Sequence, residues 1–521
     1  MKTLFRGGSV WTMNPAQPRA AAVVVEDGRV RYVGDDPGFV PGATVIDLDG
    51  RLLLPAFTDT HTHFMEVARL KFDIDLSDCA SLNEVRTALI AFRDRWDGRM
   101  SWLGGVGWNK NVWPSLEGFD RTFLDDIFGD QPVTFKSKDL HTKWCNTAAL
   151  RAAGITRHTP DPPGGRIGRD ARGEPDGFLG ERAWLLLQPF IPPVGHEQLK
   201  QAARDTVRQM WPLGLAGVHM MEGEDAWKLF EELADEGQRF RYVFHPPLSM
   251  LDELIERGLR SYTSVNQWFD IGGIKLFMDG SIGSQTACMY DPYPDTGDNG
   301  YLLMQPDEFE RLVNRAADAG LGSAVHAIGD RTVHIVAQAL ARARRKRPEL
   351  LQRIEHAQCV HPDDVAVLAR EQIYCAMQPI HIAMDTKITP HHWPVAAQYS
   401  YPVRTLLNAG VPVGFGSDAP VETINPFHGI YAALRRRYRN DPSEPIWMPH
   451  EAVSVEQALA AYTTGAAQGA GAQNRQGRIA AGMAADLIVL DDFTAQPDEF
   501  WLGARSRLTM VGGEIVWQDI D

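Results

Sequence analysis

Three observations predict an α/β fold for this 521-residue chain. Short apolar runs ending in polar residues recur through its middle, helix-period stretches lie between them, and both ends carry strand and turn signals instead. The apolar runs fall at 52–59, 217–221, 241–245, 273–277, 322–326, 353–356, 374–378 and 411–418. Eight parallel strands with intervening helices are what a (β/α)8, TIM-like barrel requires. The count is partly a choice, because 102–106 and 133–137 also read as strands. Helices are expected over 306–319, 331–346 and 362–370, among others.

The ends follow a different rhythm. AAVVVE at 21–26 and RVRYV at 29–33 flank Asp27-Gly28, a hairpin signal, and 44–48 and 51–54 flank Asp49-Gly50. Further strands are expected at 486–490, 508–512 and 514–518. Two β-rich ends around a long middle suggest one small sheet domain built from both; two separate caps are the alternative.

Composition narrows the function. Lys and Arg total 52 against 67 Asp and Glu, a net charge of −15 that argues against a nucleic-acid partner. No apolar run approaches the ~18 residues of a membrane helix, and the start lacks an apolar leader core, so no membrane association is expected. Five scattered cysteines without a CxxC pair point away from a disulfide or zinc-ribbon scaffold and toward the cytoplasm. The phosphate loop, dinucleotide turn, nucleophile elbow and HExxH helix are all missing.

The informative segment is Leu54-Pro-Ala-Phe-Thr-Asp-Thr-His61-Thr-His63. Alternate strand residues face the same way, so an apolar strand ending in His-x-His delivers two imidazoles to one point. Alone, such a pair is more often surface or hydrogen-bonded than metal-ligating. Here His326, His356 and Asp418 also end apolar runs, and barrel sites are built at strand C-termini. Imidazole suits zinc, iron, nickel or manganese in such a setting. Lys275, in GGIKLFMDG, is an ammonium embedded where an apolar strand ends. Burial would lower its pKa, and the free amine could form a carbamate with CO2. An ion pair with Asp279 or a Schiff-base role are the alternatives.

Together PAFTDTHTH, KLFMDGSIGSQTA, HAIGD, RIEHAQ and GFGSDAP resemble signatures of the amidohydrolase superfamily. More narrowly they are similar to its YtcJ-like branch (amidohydrolase family 3), which includes N-substituted formamide deformylases. The likeness spans essentially the whole chain. It implies a composite β-sandwich domain from 1–55 and 475–521, and a hydrolase barrel over 56–474. It also implies two divalent metal ions, with zinc the expected metal. His61, His63 and Asp418 would hold one, His326 and His356 the other, with carboxylated Lys275 bridging them in a binuclear centre. The superfamily places that lysine on barrel strand four. Lys275 stands 212 positions after His63, whereas two further βα units need only about 80 residues, which leaves a large insertion after strand one, at about 70–205.

The insertion is where substrate selection is expected. Trp108 and His141 resemble branch positions that face the metal centre, as an aromatic wall and a polar contact to the substrate carbonyl. Packing of the insertion is an equal explanation for Trp108. Glu355 and Asp330 read as orienters of neighbouring imidazoles. His219, His245, His381, His391 and His392 receive no role.

The implied reaction is hydrolysis of a C–N bond, of N-substituted formamide or N-acyl type, in a small-molecule substrate. Asp418 would act as general base and His141 would help polarise the carbonyl. A deaminase on the same fold would carry a glutamate after its strand-five histidine. Asp330 stands near that place, and Lys275 would go unexplained. Lactone or carbamate hydrolysis uses the same chemistry. A catalytically silent homologue is disfavoured by the complete ligand set. The resemblance is compatible with a homodimer.

Overall fold

The computed structural model describes residues 2–96 and 101–520, which form two compact units. The smaller comprises 65–202 and 280–286; the larger comprises 2–64, 203–279 and 287–520.

In the larger unit nine parallel strands form two sheets. One runs Phe57–Thr62, Leu215–Met220, Arg241–Phe244 and Phe269–Ile271 in spatial order; the other runs Ile274–Phe277, Ser323–Ala327, Arg353–His356, Tyr374–Met377 and Val413–Phe415. The ninth strand, absent from the sequence reading, is Phe269–Ile271, separated from Ile274–Phe277 by a Gly-Gly pair that breaks one apolar run in two. Among the described residues no sheet closes on itself by ladder pairing. Single backbone bonds cross between the sheet edges instead. Lys275 N donates to Pro246 O (2.7 Å) at one seam, and Asp418 N to His61 O (2.7 Å) and His63 N to Ala419 O (2.9 Å) at the other. Amphipathic helices follow the strands, among them Pro306–Asp318, Asp330–Lys346 and Pro362–Arg370. Among the described residues no helix is long and apolar enough to cross a membrane.

The expected strand at 52–59 divides at Ala56. Leu52–Pro55 pairs antiparallel with Leu487–Leu490, so the two ends of the chain share a six-stranded sheet, while Phe57–Thr62 joins the parallel sheet. A second sheet of four strands is built from the N-terminal segment alone, including the hairpin Ala22–Glu26 and Arg29–Gly34. Asp27 and Gly28 both have positive φ (50° and 78°), the primed turn that matches strand twist. Phe5, Val23, Val25 and Leu53 pack with Leu487, Val489, Leu508 and Met510 in one buried core.

The smaller unit holds a six-stranded mixed sheet containing Leu103–Trp108 and Val133–Ser137, which pair in parallel, so the two surplus strand signals belong to this sheet. An aromatic cluster of Trp108, Trp113, Phe119, Phe123, Trp144 and Phe178 fills its core.

Leu53 is fully buried in the core shared by the two ends. Leu53→Ala is expected to destabilise the protein by about 2–5 kcal/mol. Denaturant unfolding that shows no loss would contradict a core common to both termini.

Candidate metal centre

The strand period carries the histidines where the sequence places them. His61 is next to last in the strand Phe57–Thr62 and fully buried, and His63 lies just beyond the strand. Asp59 fixes this strand end: its carboxylate accepts from His61 N (3.0 Å) and from Ser417 N (3.1 Å to each oxygen). The approach is close enough that a Cβ at Gly416 would lie 2.6 Å from His61 N and 2.7 Å from Asp59 Oδ1, so only glycine fits there.

Asp418 is brought between the imidazoles. Its Oδ1 lies 3.4 Å from His61 Nε2 and 3.3 Å from His63 Nε2; its Oδ2 lies 3.6 Å from His381 Nε2 and 3.9 Å from His356 Nδ1. Zinc bonds of ~2.0–2.1 Å in a tetrahedron separate neighbouring ligand atoms by about 3.3–3.4 Å, the spacing of Asp418 Oδ1 from both His61 Nε2 and His63 Nε2. The His326 and His356 rings are 4.5 Å apart and those of His61 and His356 4.7 Å, so the three form a continuous row. His356, Ala357 and Asp418 all have positive φ (75°, 45° and 58°). Such backbone costs about 1–3 kcal/mol at each position and concentrates at functional sites.

The electrostatics follow from burial. Burial pushes the Asp418 carboxyl up, but His61 and His63 more than offset this and hold it below the ordinary carboxylate range. Burial, with the Lys275 charge adding to it, holds His61 well below the usual imidazole value. Burial also lowers Lys275 to about 8, with Glu355 and Asp418 opposing. Lys275 Nζ has no hydrogen-bond partner among the described residues and lies 4.9 Å from the Phe277 ring centroid. The ion pair with Asp279 does not form. That carboxylate instead accepts from the backbone amides of Cys288, Ile328 and Gly329 at 2.9–3.1 Å.

Beneath the row lies a buried ion pair. Arg353 and Glu355 are both fully buried. Glu355 Oε2 is 2.7 Å from His61 Nδ1, which fixes the Nδ1-protonated tautomer and leaves the Nε2 lone pair toward Asp418 and His63. All five guanidinium donors of Arg353 are engaged. Nε and Nη2 bond the two Glu355 oxygens (2.6 and 3.0 Å), Nη2 also bonds Thr60 O, and Nη1 bonds His219 Nδ1 and Gly469 O. Burial raises Glu355, but Arg353 outweighs it and keeps the carboxyl below the ordinary glutamate range.

Glu355 therefore orients an imidazole, whereas Asp330 does not. Its oxygens accept from the amides of Tyr290 and Arg331 and from the Tyr399 hydroxyl. Gln378 takes the expected part, its Oε1 accepting from His356 Nδ1 at 2.9 Å. His381 was left without a role by the sequence and joins the cluster. Gln358 Nε2 donates to its Nδ1 (3.0 Å), which leaves Nε2 as the protonated nitrogen beside Asp418. The signal was its place just past the strand Tyr374–Met377, on the helix Pro379–Asp385.

In the smaller unit, His141 Nδ1 is held by both oxygens of Glu181 at 3.0 and 3.1 Å. Glu181 also accepts from Thr286 Oγ1, and Asp139 accepts from Ser281 and Ser284, so 280–286 is fastened to this unit by hydroxyls. Trp108 is buried among Phe119, Trp144 and Phe178, with its indole N–H donating to Phe135 O (2.8 Å), contacts that support the packing role.

Parallel strands whose ends gather an HxH pair, two further histidines and a bridging aspartate define a fold and site of the metal-dependent hydrolase class. The chain belongs to the amidohydrolase family, whose sequence profile matches residues 44–517. It is 31% identical to the putative amidohydrolase YtcJ of Bacillus subtilis, over 99% of this chain and all of that one. It is 29% identical to the protein LONG AFTER FAR-RED 3 of Arabidopsis thaliana, over 98% of this chain and 91% of that one. The N-substituted formamide deformylase of Arthrobacter pascens is 27% identical, over 93% of this chain and 92% of that one. An uncharacterised metal-dependent hydrolase from Pyrococcus furiosus superposes with a TM-score of 0.74 at 29% identity, covering 94% of this chain and 99% of that one.

Arg353→Met would leave the Glu355 charge buried and uncompensated. It is expected to cost about 3–5 kcal/mol of stability at neutral pH. The pair's contribution is complete above the unfolded glutamate value of about 4.3 and is lost as pH falls through the lower folded value. The loss should therefore shrink in acid. Equal denaturation midpoints for variant and wild type at pH 7 would contradict the keystone role of Arg353.

Proposed function

We propose that the protein is a metal-dependent amidohydrolase that cleaves a C–N bond of the N-substituted formamide or N-acyl type. The observation that carries this reading is the set of ligand atoms of His61, His63 and Asp418, which lie at metal-ligand spacing at adjoining strand ends. The donor set fits a metal. His61 Nε2, Asp418 Oδ1 and Lys275 Nζ are buried without hydrogen-bond partners, a costly arrangement that cations and a carbamate would relieve. His61, His63 and Asp418 would hold one divalent ion, zinc in the first instance, and His326 and His356 a second. Lys275, depressed to about 8, is partly unprotonated at neutral pH, and its free amine can add CO2 and release a proton to become a bridging carbamate. When bound, the metals supply an acidified water and polarise the carbonyl.

The rest is the work of the chain's own groups. Asp418, ionised at neutral pH, accepts the proton of the attacking water and then delivers it to the leaving nitrogen. Glu355 holds His61 in one tautomer and orientation while the charge redistributes. His141, steadied by Glu181, keeps the role that the resemblance implies, a polar contact to the substrate carbonyl. The N-substituted formamide deformylase relative supports the formamide end of the proposed substrate range. The five cysteines are all free, which suits the cytoplasm.

The test is a screen of zinc-loaded protein across N-formyl, N-acyl, N-carbamoyl, lactone and aminated-ring compounds, with Asp418→Asn in parallel. Turnover is expected on an N-formyl or N-acyl amine, with a loss of at least about 100-fold in Asp418→Asn. Ammonia release from an aminated ring as the main activity would overturn the assignment in favour of a deaminase.

A further inference from the structure

A second cluster of metal-ligating side chains in the larger unit shares no residue with the centre described above. Asp295, His391 and His392 place one carboxylate oxygen and two imidazole nitrogens within 4.8 Å of one another. His391 Nε2 lies 3.1 and 3.2 Å from the two Asp295 oxygens, and His392 Nδ1 lies 3.6 Å from Oδ2. His391 Nε2 is within hydrogen-bond reach of both Asp295 oxygens, whereas His392 Nδ1, at 3.6 Å, stands just beyond it, so a histidine–carboxylate bond accounts for His391 but not for the approach of His392 to the same carboxylate. The imidazole-to-carboxylate distances of 3.1–3.6 Å bracket the about 3.3–3.4 Å edge of a tetrahedron with ~2.0–2.1 Å bonds, and all three ligand atoms lie within 4.8 Å of one another.

The backbone segments that carry these side chains are held by their own hydrogen bonds. Asp295 projects from a segment pinned by Met289 N to Asn299 O (2.8 Å), Tyr293 N to Asp298 O (2.7 Å) and Gly297 N to Tyr293 O (2.8 Å). Asn299 Nδ2 donates to both Met289 O and Tyr290 O. The two histidines sit on the short helix Thr389–His392, whose turn is closed by bonds from His391 N, His392 N and Trp393 N. The Tyr293 ring packs edge-on against His392, and its hydroxyl is bonded to Ala287 O, which sets the depth of that imidazole. His392 is 8% exposed, Asp295 44% and His391 61%, so the cluster is anchored on one side and open to solvent on the other.

The geometry points to an accessory divalent-metal site formed by Asp295, His391 and His392, which takes zinc or a similar borderline ion and clasps the 287–300 segment to the helix Thr389–His392. Two imidazoles and one carboxylate are a donor set for zinc, copper or nickel rather than for calcium or magnesium. The solvent-facing side leaves a coordination position for water, so the ion exchanges with chelators.

The experiment compares chelator-stripped wild type with His391→Gln and Asp295→Asn, each dialysed to equilibrium against zinc and analysed for zinc per chain. Both altered side chains are largely exposed, so the variants are expected to fold, which circular dichroism would check. Each variant is expected to hold one zinc ion fewer than wild type. With cobalt in place of zinc, each should lose the part of the intense visible absorption that comes from this tetrahedral site. Asp418→Asn should show the same difference on adding His391→Gln, because the two sites are independent. Equal zinc counts in wild type and both variants would overturn the site, whatever the metal content at His61, His63 and Asp418.

Discussion

The buried pair of Arg353 and Glu355 is the interaction on which the candidate centre rests. Taking a guanidinium and a carboxylate out of water costs several kcal/mol per ion, and that cost is offset only when every donor and acceptor is met. Arg353 meets the condition with five bonds, which reach a carbonyl on the HxH strand, a histidine on the next strand, a carbonyl near residue 469 and both oxygens of Glu355. Segments remote in sequence are thereby tied at one point. The Glu355 carboxylate then passes the constraint to His61, and His61 to Asp418.

A centre held this way can tolerate local conformations that would otherwise relax. His356, Ala357 and Asp418 keep left-handed backbone because bonds such as Asp418 N to His61 O and Ala357 N to Ala327 O leave them no alternative. Burial does the remaining electrostatic work. It lowers the amine and the His61 and His356 imidazoles, while His61 and His63 keep the aspartate ionised. Two neutral imidazoles, a poised amine and an anionic carboxylate are groups in the state that divalent metals require.

Much of this could be read from the sequence, because the strand period is two and the loop after each apolar run begins at its polar residue. His61, His63, His326, His356 and Asp418 all fall at such ends. The same reasoning passes over His381, since one histidine on a helix after a loop looks like any packed imidazole. It also passes over Arg353, where a single arginine opening a strand gives no sign that its head is fully buried. Asp330 departs from its expected part because a carboxylate three residues beyond the strand Ser323–Ala327 can turn to helix-start amides as readily as to an imidazole. The ninth parallel strand went unseen because three residues before a Gly-Gly pair carry too little pattern to register. The barrel expected over 56–474, outside the insertion at about 70–205, takes in 280–286, yet this stretch groups with the smaller unit, where its hydroxyls bond Asp139 and Glu181.

If these strand ends form a metal centre, anomalous diffraction at the zinc edge from crystals grown with zinc will locate the ions. A peak bounded by His61, His63 and Asp418 is expected, and a second beside His326 and His356. Crystals that contain zinc but show no anomalous density at those residues would contradict a metal centre there.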